Sequence, residues 1–130
     1  MILGIDPGTR KCGYAVLSAA GAKPAAIGIV VTPELPALVA QLVSQYPIET
    51  VALGSGTHAP PVAALLSASG LLVRIVDEHE TTLRARARYF ADWPPRGWKR
   101  LIPRGMLLPP RPIDDYAALL IAERYLEAPG

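Results

Sequence analysis

The stretch Met1-Ile2-Leu3-Gly4-Ile5-Asp6-Pro7-Gly8-Thr9-Arg10-Lys11-Cys12-Gly13-Tyr14-Ala15-Val16-Leu17-Ser18 decides the fold. Residues 1–6 and 13–18 are apolar runs too short for stable helices. The Pro7-Gly8 turn between them makes them neighbouring strands of a hairpin. A third apolar run, 25–32, extends the hairpin to a three-stranded meander. Asp6 ends the first strand, so its carboxylate stands at a strand tip beside the backbone amides of the turn.

Beyond residue 33 the hydrophobic period changes. Leu35, Leu38, Val39, Leu42, Val43 and Tyr46 recur at helical spacing, which predicts a helix over 34–46 that Pro47 closes. Residues 50–54 read as a buried strand, 61–69 as a short helix ending at Gly70, and 71–76 as a strand that runs into Asp77-Glu78. Residues 80–92 are helical by propensity and stop at Trp93-Pro94-Pro95. Pro112 opens a last helix, 113–127. Strands in a meander and then strands alternating with helices predict an α/β fold, a mixed five-stranded sheet flanked by helices.

The chain has 130 residues, 51% of them hydrophobic and 18% charged. That fits a single domain spanning 1–130 that buries its own core. A disulfide scaffold is excluded, since Cys12 is the one cysteine. No apolar run reaches the ~18 residues of a membrane span, and the first residues are strand-like rather than a basic region followed by a hydrophobic plug. The expectation is a soluble, cytoplasmic protein with no membrane partner.

The formal net charge of +2 hides a segregation. Between Arg84 and Arg111, eight basic residues (Arg84, Arg86, Arg88, Arg96, Lys99, Arg100, Arg104, Arg111) face one acid, Asp92, a local charge of +7 that leaves −5 for the rest. Much of this lies in 93–111, nineteen residues with five prolines and five basic side chains. A loop of more than about 12–15 residues in a small domain is usually functional or disordered. The apolar Trp93, Trp98, Leu101, Ile102, Met106, Leu107 and Leu108 argue against disorder, so 93–111 is expected to be an ordered, basic, Pro-rich flap.

Acids collect at element ends. Asp6 and Asp77-Glu78 close strands, and Asp114-Asp115 opens the last helix. In that helix, steps of 100° place Asp114 and Asp115 on the side of Ala118, Ile121, Ala122 and Tyr125, and place Glu123, Arg124 and Glu127 opposite. Carboxylates on a packed face need compensation. Salt bridges to nearby arginines, or capping of the helix by Asp114 and Asp115, would supply it. A hard divalent cation, Mg²⁺ or Mn²⁺, would also supply it for acids drawn from distant elements. There is no Cys/His spacing for structural zinc.

These residues resemble a known group. Residues 2–16, Ile2-Leu3-Gly4-Ile5-Asp6-Pro7-Gly8-Thr9-Arg10-Lys11-Cys12-Gly13-Tyr14-Ala15-Val16, look like the opening strand-turn-strand of RuvC-type Holliday junction resolvases. Val76-Asp77-Glu78-His79-Glu80-Thr81-Thr82 is more similar to the YqgF (RuvX) branch of the same ribonuclease-H-like superfamily. Ile113-Asp114-Asp115-Tyr116-Ala117-Ala118 matches the terminal aspartate motif of both.

The resemblance implies a metal-dependent nuclease with a two-metal Mg²⁺ or Mn²⁺ site. Asp6 would be the bridging carboxylate, Glu78 the second acid, and Asp114 or Asp115 the third; the helical angles do not separate the last two. RuvC carries its second acid after the fourth strand, where this chain has Gly54-Ser55-Gly56-Thr57, and the flap belongs to neither branch's pattern. One metal would generate the attacking hydroxide and the other would stabilise the leaving oxygen.

The basic segment is the expected nucleic-acid track: Arg84, Arg88, Arg96, Lys99, Arg100 and Arg104, with Arg10 and Lys11 from the first turn. Trp98 would stack on an unpaired base or anchor the flap to the core. Ordinary helical pairs, Glu80–Arg84 and Arg88–Asp92, compete for the arginines. His79 is a possible accessory to the metal site, and His58 at a helix start carries less. Gly54-Ser55-Gly56-Thr57 lacks a P-loop lysine and reads as a tight turn.

Three functions follow, in this order: a Holliday junction resolvase-like endonuclease on branched DNA, acting as a homodimer because the junction offers two symmetric strands; a YqgF-like ribonuclease on precursor 16S rRNA; and a non-catalytic nucleic-acid-binding domain.

Overall fold

Residue by residue, the first strand serves two cores. Leu3 and Ile5 are sealed on one side of the sheet, while Ile2 and Gly4 meet a helix on the other. The computed structural model describes residues 1–19, 22–56, 58–77, 88, 91–92 and 114–127. Its strands are β1 (Ile2–Asp6), β2 (Lys11–Leu17), β3 (Ala26–Val31), β4 (Thr50–Gly54) and β5 (Leu72–Val76). They form one sheet in the order β3-β2-β1-β4-β5. β2 runs antiparallel to β1 and β3, and β1, β4 and β5 are mutually parallel. Short loops suffice for the antiparallel neighbours, whereas each parallel step needs a crossover. Helix α1 (Leu35–Gln45) provides the first and α2 (Ala59–Leu66) the second. The mixed five-stranded sheet expected from the sequence is the one observed.

Element limits moved by a few residues. The expected helix 61–69 is α-helical over Ala59–Leu66 and tightens to a 3₁₀ turn over Ser67–Ser69. It ends at Gly70 with φ +77°, a left-handed value that glycine adopts without strain. The last helix, α3, spans Asp114–Glu127. Of the helix expected over 80–92, Arg88, Ala91 and Asp92 are helical. The remainder of it, and the flap 93–111, lie outside the described residues.

α1 and α2 cover the face of Leu3, Ile5, Cys12, Val16, Val51 and Leu53. α3 covers the opposite face: Ala118, Leu119 and Ala122 pack on Ala15 and Leu17, and Ile121 packs on Ala52 and Val76. The helix sits directly on the β1 backbone. A Cβ at Gly4 would collide with the Ala118 carbonyl oxygen and with Ala122. Ile2, Leu126 and Tyr125 pack at the margins of these clusters. No helix among the described residues is long and apolar enough to cross a membrane.

One sequence reading of α3 needs correction. The angular argument put Glu123 on the open side, yet it is 9% exposed. The helix is flanked on that side too, by the turn that carries Arg88, whose guanidinium lies 3.0 Å from Glu123. A helical wheel drawn against one sheet has no place for this second neighbour.

Candidate metal and nucleic-acid site

Because β1, β4 and β5 are parallel, their carboxyl ends open on one edge of the sheet. Asp6 stands there on the central strand. Alternation along β1 puts it on the same face as Ile2 and Gly4, the face that α3 covers. Its neighbour across β2 is Gly13. On the other side Ile5 is level with Leu53, so one further step sets Asp6 beside Gly54, which is level with Val76. The row on this face thus reads Gly13, Asp6, Gly54, Val76, and Asp6 itself is half-buried.

α3, which covers the same face of the sheet, begins with the terminal aspartates. Asp114 is its first residue, and Asp115 is 7% exposed, on the packed face as expected. Backbone N–H groups of a first helical turn lack intrahelical acceptors. One of them, that of Tyr116, donates to Asp115 Oδ1 at 3.0 Å. Asp77 follows β5 directly; its carboxylate is 69% exposed and 4.0 Å from the Arg124 guanidinium. β4 ends without an acid, and the Ser55 N–H donates to the Val76 carbonyl at 2.7 Å, continuing the sheet by one rung. Glu78 and His79 lie outside the described residues. Among the described residues no three His, Cys, Asp or Glu side chains converge in a metal-binding group.

The donors nevertheless suit a hard cation. Asp6 and Asp115 offer oxygen alone, and Cys12 is buried on the opposite face. Mg²⁺ or Mn²⁺ fits this donor set.

The first turn is held beside the site. Thr32 donates through its hydroxyl to the Gly8 carbonyl at 2.9 Å, and Thr9 Oγ1 lies 3.0 Å from His58 Nδ1. His58 thus ties the first turn to the start of α2, a structural role. Arg10 on the same turn and Lys11 at the start of β2 are exposed.

The basic segment is represented by Arg88. Arg88, an expected phosphate contact for which a helical pair with Asp92 competed, pairs with Glu123, and Asp92 accepts a hydrogen bond from the Tyr116 hydroxyl at 2.9 Å. Arg84, Arg86, Arg96, Trp98, Lys99, Arg100 and Arg104 lie outside the described residues. Lys23, which the sequence reading passed over, lines a cleft with Arg88, Asp92, Tyr116 and Leu119. It falls in a loop remote from the basic run, so only the fold brings it near.

About half of the chain, residues 2–65, matches the family model for crossover junction endodeoxyribonuclease RuvC. No curated protein matches it in sequence. The structure is similar to Thermus thermophilus RuvC, with a TM-score of 0.59 and 18% identity over 95% of this chain and 91% of that one. It is also similar to T. thermophilus RuvC solved in complex with a Holliday junction substrate, with a TM-score of 0.57 and 16% identity over 97% and 94% of the respective chains.

Proposed function

The chain is a RuvC-like protein with the ribonuclease-H-like fold, and on that premise we propose that it is a divalent-metal-dependent endonuclease acting on branched DNA in the cytoplasm. The observation that carries this reading is the placement of Asp6. It ends the central strand with Gly13 level with it on β2, on the face covered by α3, whose first residues are Asp114 and Asp115. Asp6, Glu78 and one of the two terminal aspartates are the proposed ligands, with His79 as a possible accessory. When bound, Mg²⁺ or Mn²⁺ would supply an activated water and stabilise the leaving oxygen.

The protein's own contribution is positioning. Carboxylates alone would repel a phosphodiester, and the basic residues offset that repulsion. Arg10 on the first turn and Lys11 at the start of β2, with Arg84, Arg96, Lys99, Arg100 and Arg104, are the proposed phosphate contacts, and Trp98 a stacking surface. A four-way junction presents two equivalent strands, which suits a twofold pair of chains. The face best suited to self-association is the outer side of α1 and α2. Neither helix contains Asp, Glu, Lys or Arg, and Val43 and Leu65 are exposed on them.

Labelled four-way junctions incubated with Mg²⁺ or Mn²⁺ test the proposal. Paired nicks in the wild type, lost in Asp6→Asn, are expected. Equal activity of the two proteins would refute it. A second reading, a YqgF-like ribonuclease on precursor 16S rRNA, is favoured by the acid-free end of β4 and the acids that follow β5. Trimming of RNA by a protein inert on junctions would put it first. A non-catalytic nucleic-acid-binding domain would bind junctions in a salt-dependent manner without cleaving them.

A further inference from the structure

Two contacts join α3 to residues earlier in the chain, Arg88 and Asp92, each of them helical. Tyr116 and Glu123 are seven apart, on one face of α3. The earlier residue of one pair meets the later residue of the other, Arg88 with Glu123 and Asp92 with Tyr116. Tyr116 is 7% exposed and makes contacts in two directions. Its hydroxyl reaches Asp92 at 2.9 Å, and its backbone N–H holds Asp115 Oδ1 at 3.0 Å.

We infer that Tyr116 is a positioning residue for the acidic site: by anchoring its ring to Asp92 it fixes the first turn of α3, and with that turn the orientation of the Asp115 carboxylate. The inference rests on the metal-site reading above and extends it to a residue that touches no substrate. Buried phenols need a hydrogen-bond partner. Choosing one on the basic segment makes the geometry of the acidic helix start depend on how that segment is seated. Arg88, bound to Glu123, is then a strut of the same clasp rather than a phosphate contact.

The test uses Mn²⁺ alone as probe, titrated by electron paramagnetic resonance into the wild type, Tyr116→Phe, Asp92→Ala and the double variant. Tyr46→Phe is the control, because the Tyr46 hydroxyl also makes one hydrogen bond, to the Ala25 carbonyl at 3.2 Å, on the opposite side of the sheet. Outer-shell partners of metal ligands typically affect affinity about tenfold or more. Tyr116→Phe and Asp92→Ala should each weaken Mn²⁺ binding by about that factor, and the double variant by no more than either, since all three break the same bond. Tyr46→Phe should bind as the wild type does. Wild-type affinity in Tyr116→Phe, the same loss in Tyr46→Phe, or additive losses in the double variant would overturn the inference while leaving the metal site intact. A wild type that binds no Mn²⁺ would instead overturn the metal-site reading, and this inference with it.

Discussion

A Cβ built on Gly4 would lie 2.7 Å from the Ala122 Cβ, so at Gly4 the last helix rests on the bare backbone of the first strand. Gly4→Ala must push α3 away from β1, and overpacking of this kind costs about 1–3 kcal/mol. Urea unfolding should report that loss. Because α3 carries Asp114 and Asp115, the same variant should lose junction cleavage at temperatures where it is still folded.

Asp6→Asn keeps the shape of the side chain and removes its charge. Cleavage should fall at least ~100-fold, with stability within about 0.5 kcal/mol of the wild type. Single-turnover assays beside thermal melts separate the two effects. The Asn variants at Asp114 and Asp115 should differ from each other, and the larger loss identifies the ligand.

Arg88→Ala leaves Glu123 buried without its partner, which costs about 1–3 kcal/mol. Its effect on DNA binding should not grow as salt is lowered. Arg84→Ala, the proposed phosphate contact, should instead reduce the slope of log affinity against log salt by roughly 0.9. Equal slopes in the two variants would remove the distinction between strut and contact.

Val43→Glu and Leu65→Glu place charge on the uncharged outer faces of α1 and α2, where each side chain is already exposed. Sedimentation should show a dimer dissociating to monomers with the melting temperature little changed. A wild type that remains monomeric at high concentration would remove that face as a self-association surface.

The fold was legible because its signals are local. The 1–18 hairpin, the helical spacing of Leu35 to Tyr46 and the Gly70 stop each specify one element, and together they leave few arrangements of a five-stranded sheet. Asp6 and Asp115 were legible for the same reason, as a strand tip and a position on a helical face. Contacts between distant segments were not. Glu123 was placed on the open side because its partner, Arg88, comes from a turn 35 residues earlier. Lys23 and the Tyr116–Asp92 bond escaped likewise, since no periodicity records which loop a helix will meet. The glycines beside Asp6 acquire meaning only once the register aligns Gly13 and Gly54 with it.

The central claim is that Asp6 and the start of α3 hold a divalent cation. Crystals soaked in Mn²⁺, with anomalous scattering recorded at the manganese edge, test it most directly. The account predicts a peak within bonding distance of Asp6 and of Asp114 or Asp115, absent in Asp6→Asn. Saturating Mn²⁺ with no peak there, or with one bound only elsewhere on the chain, would contradict it.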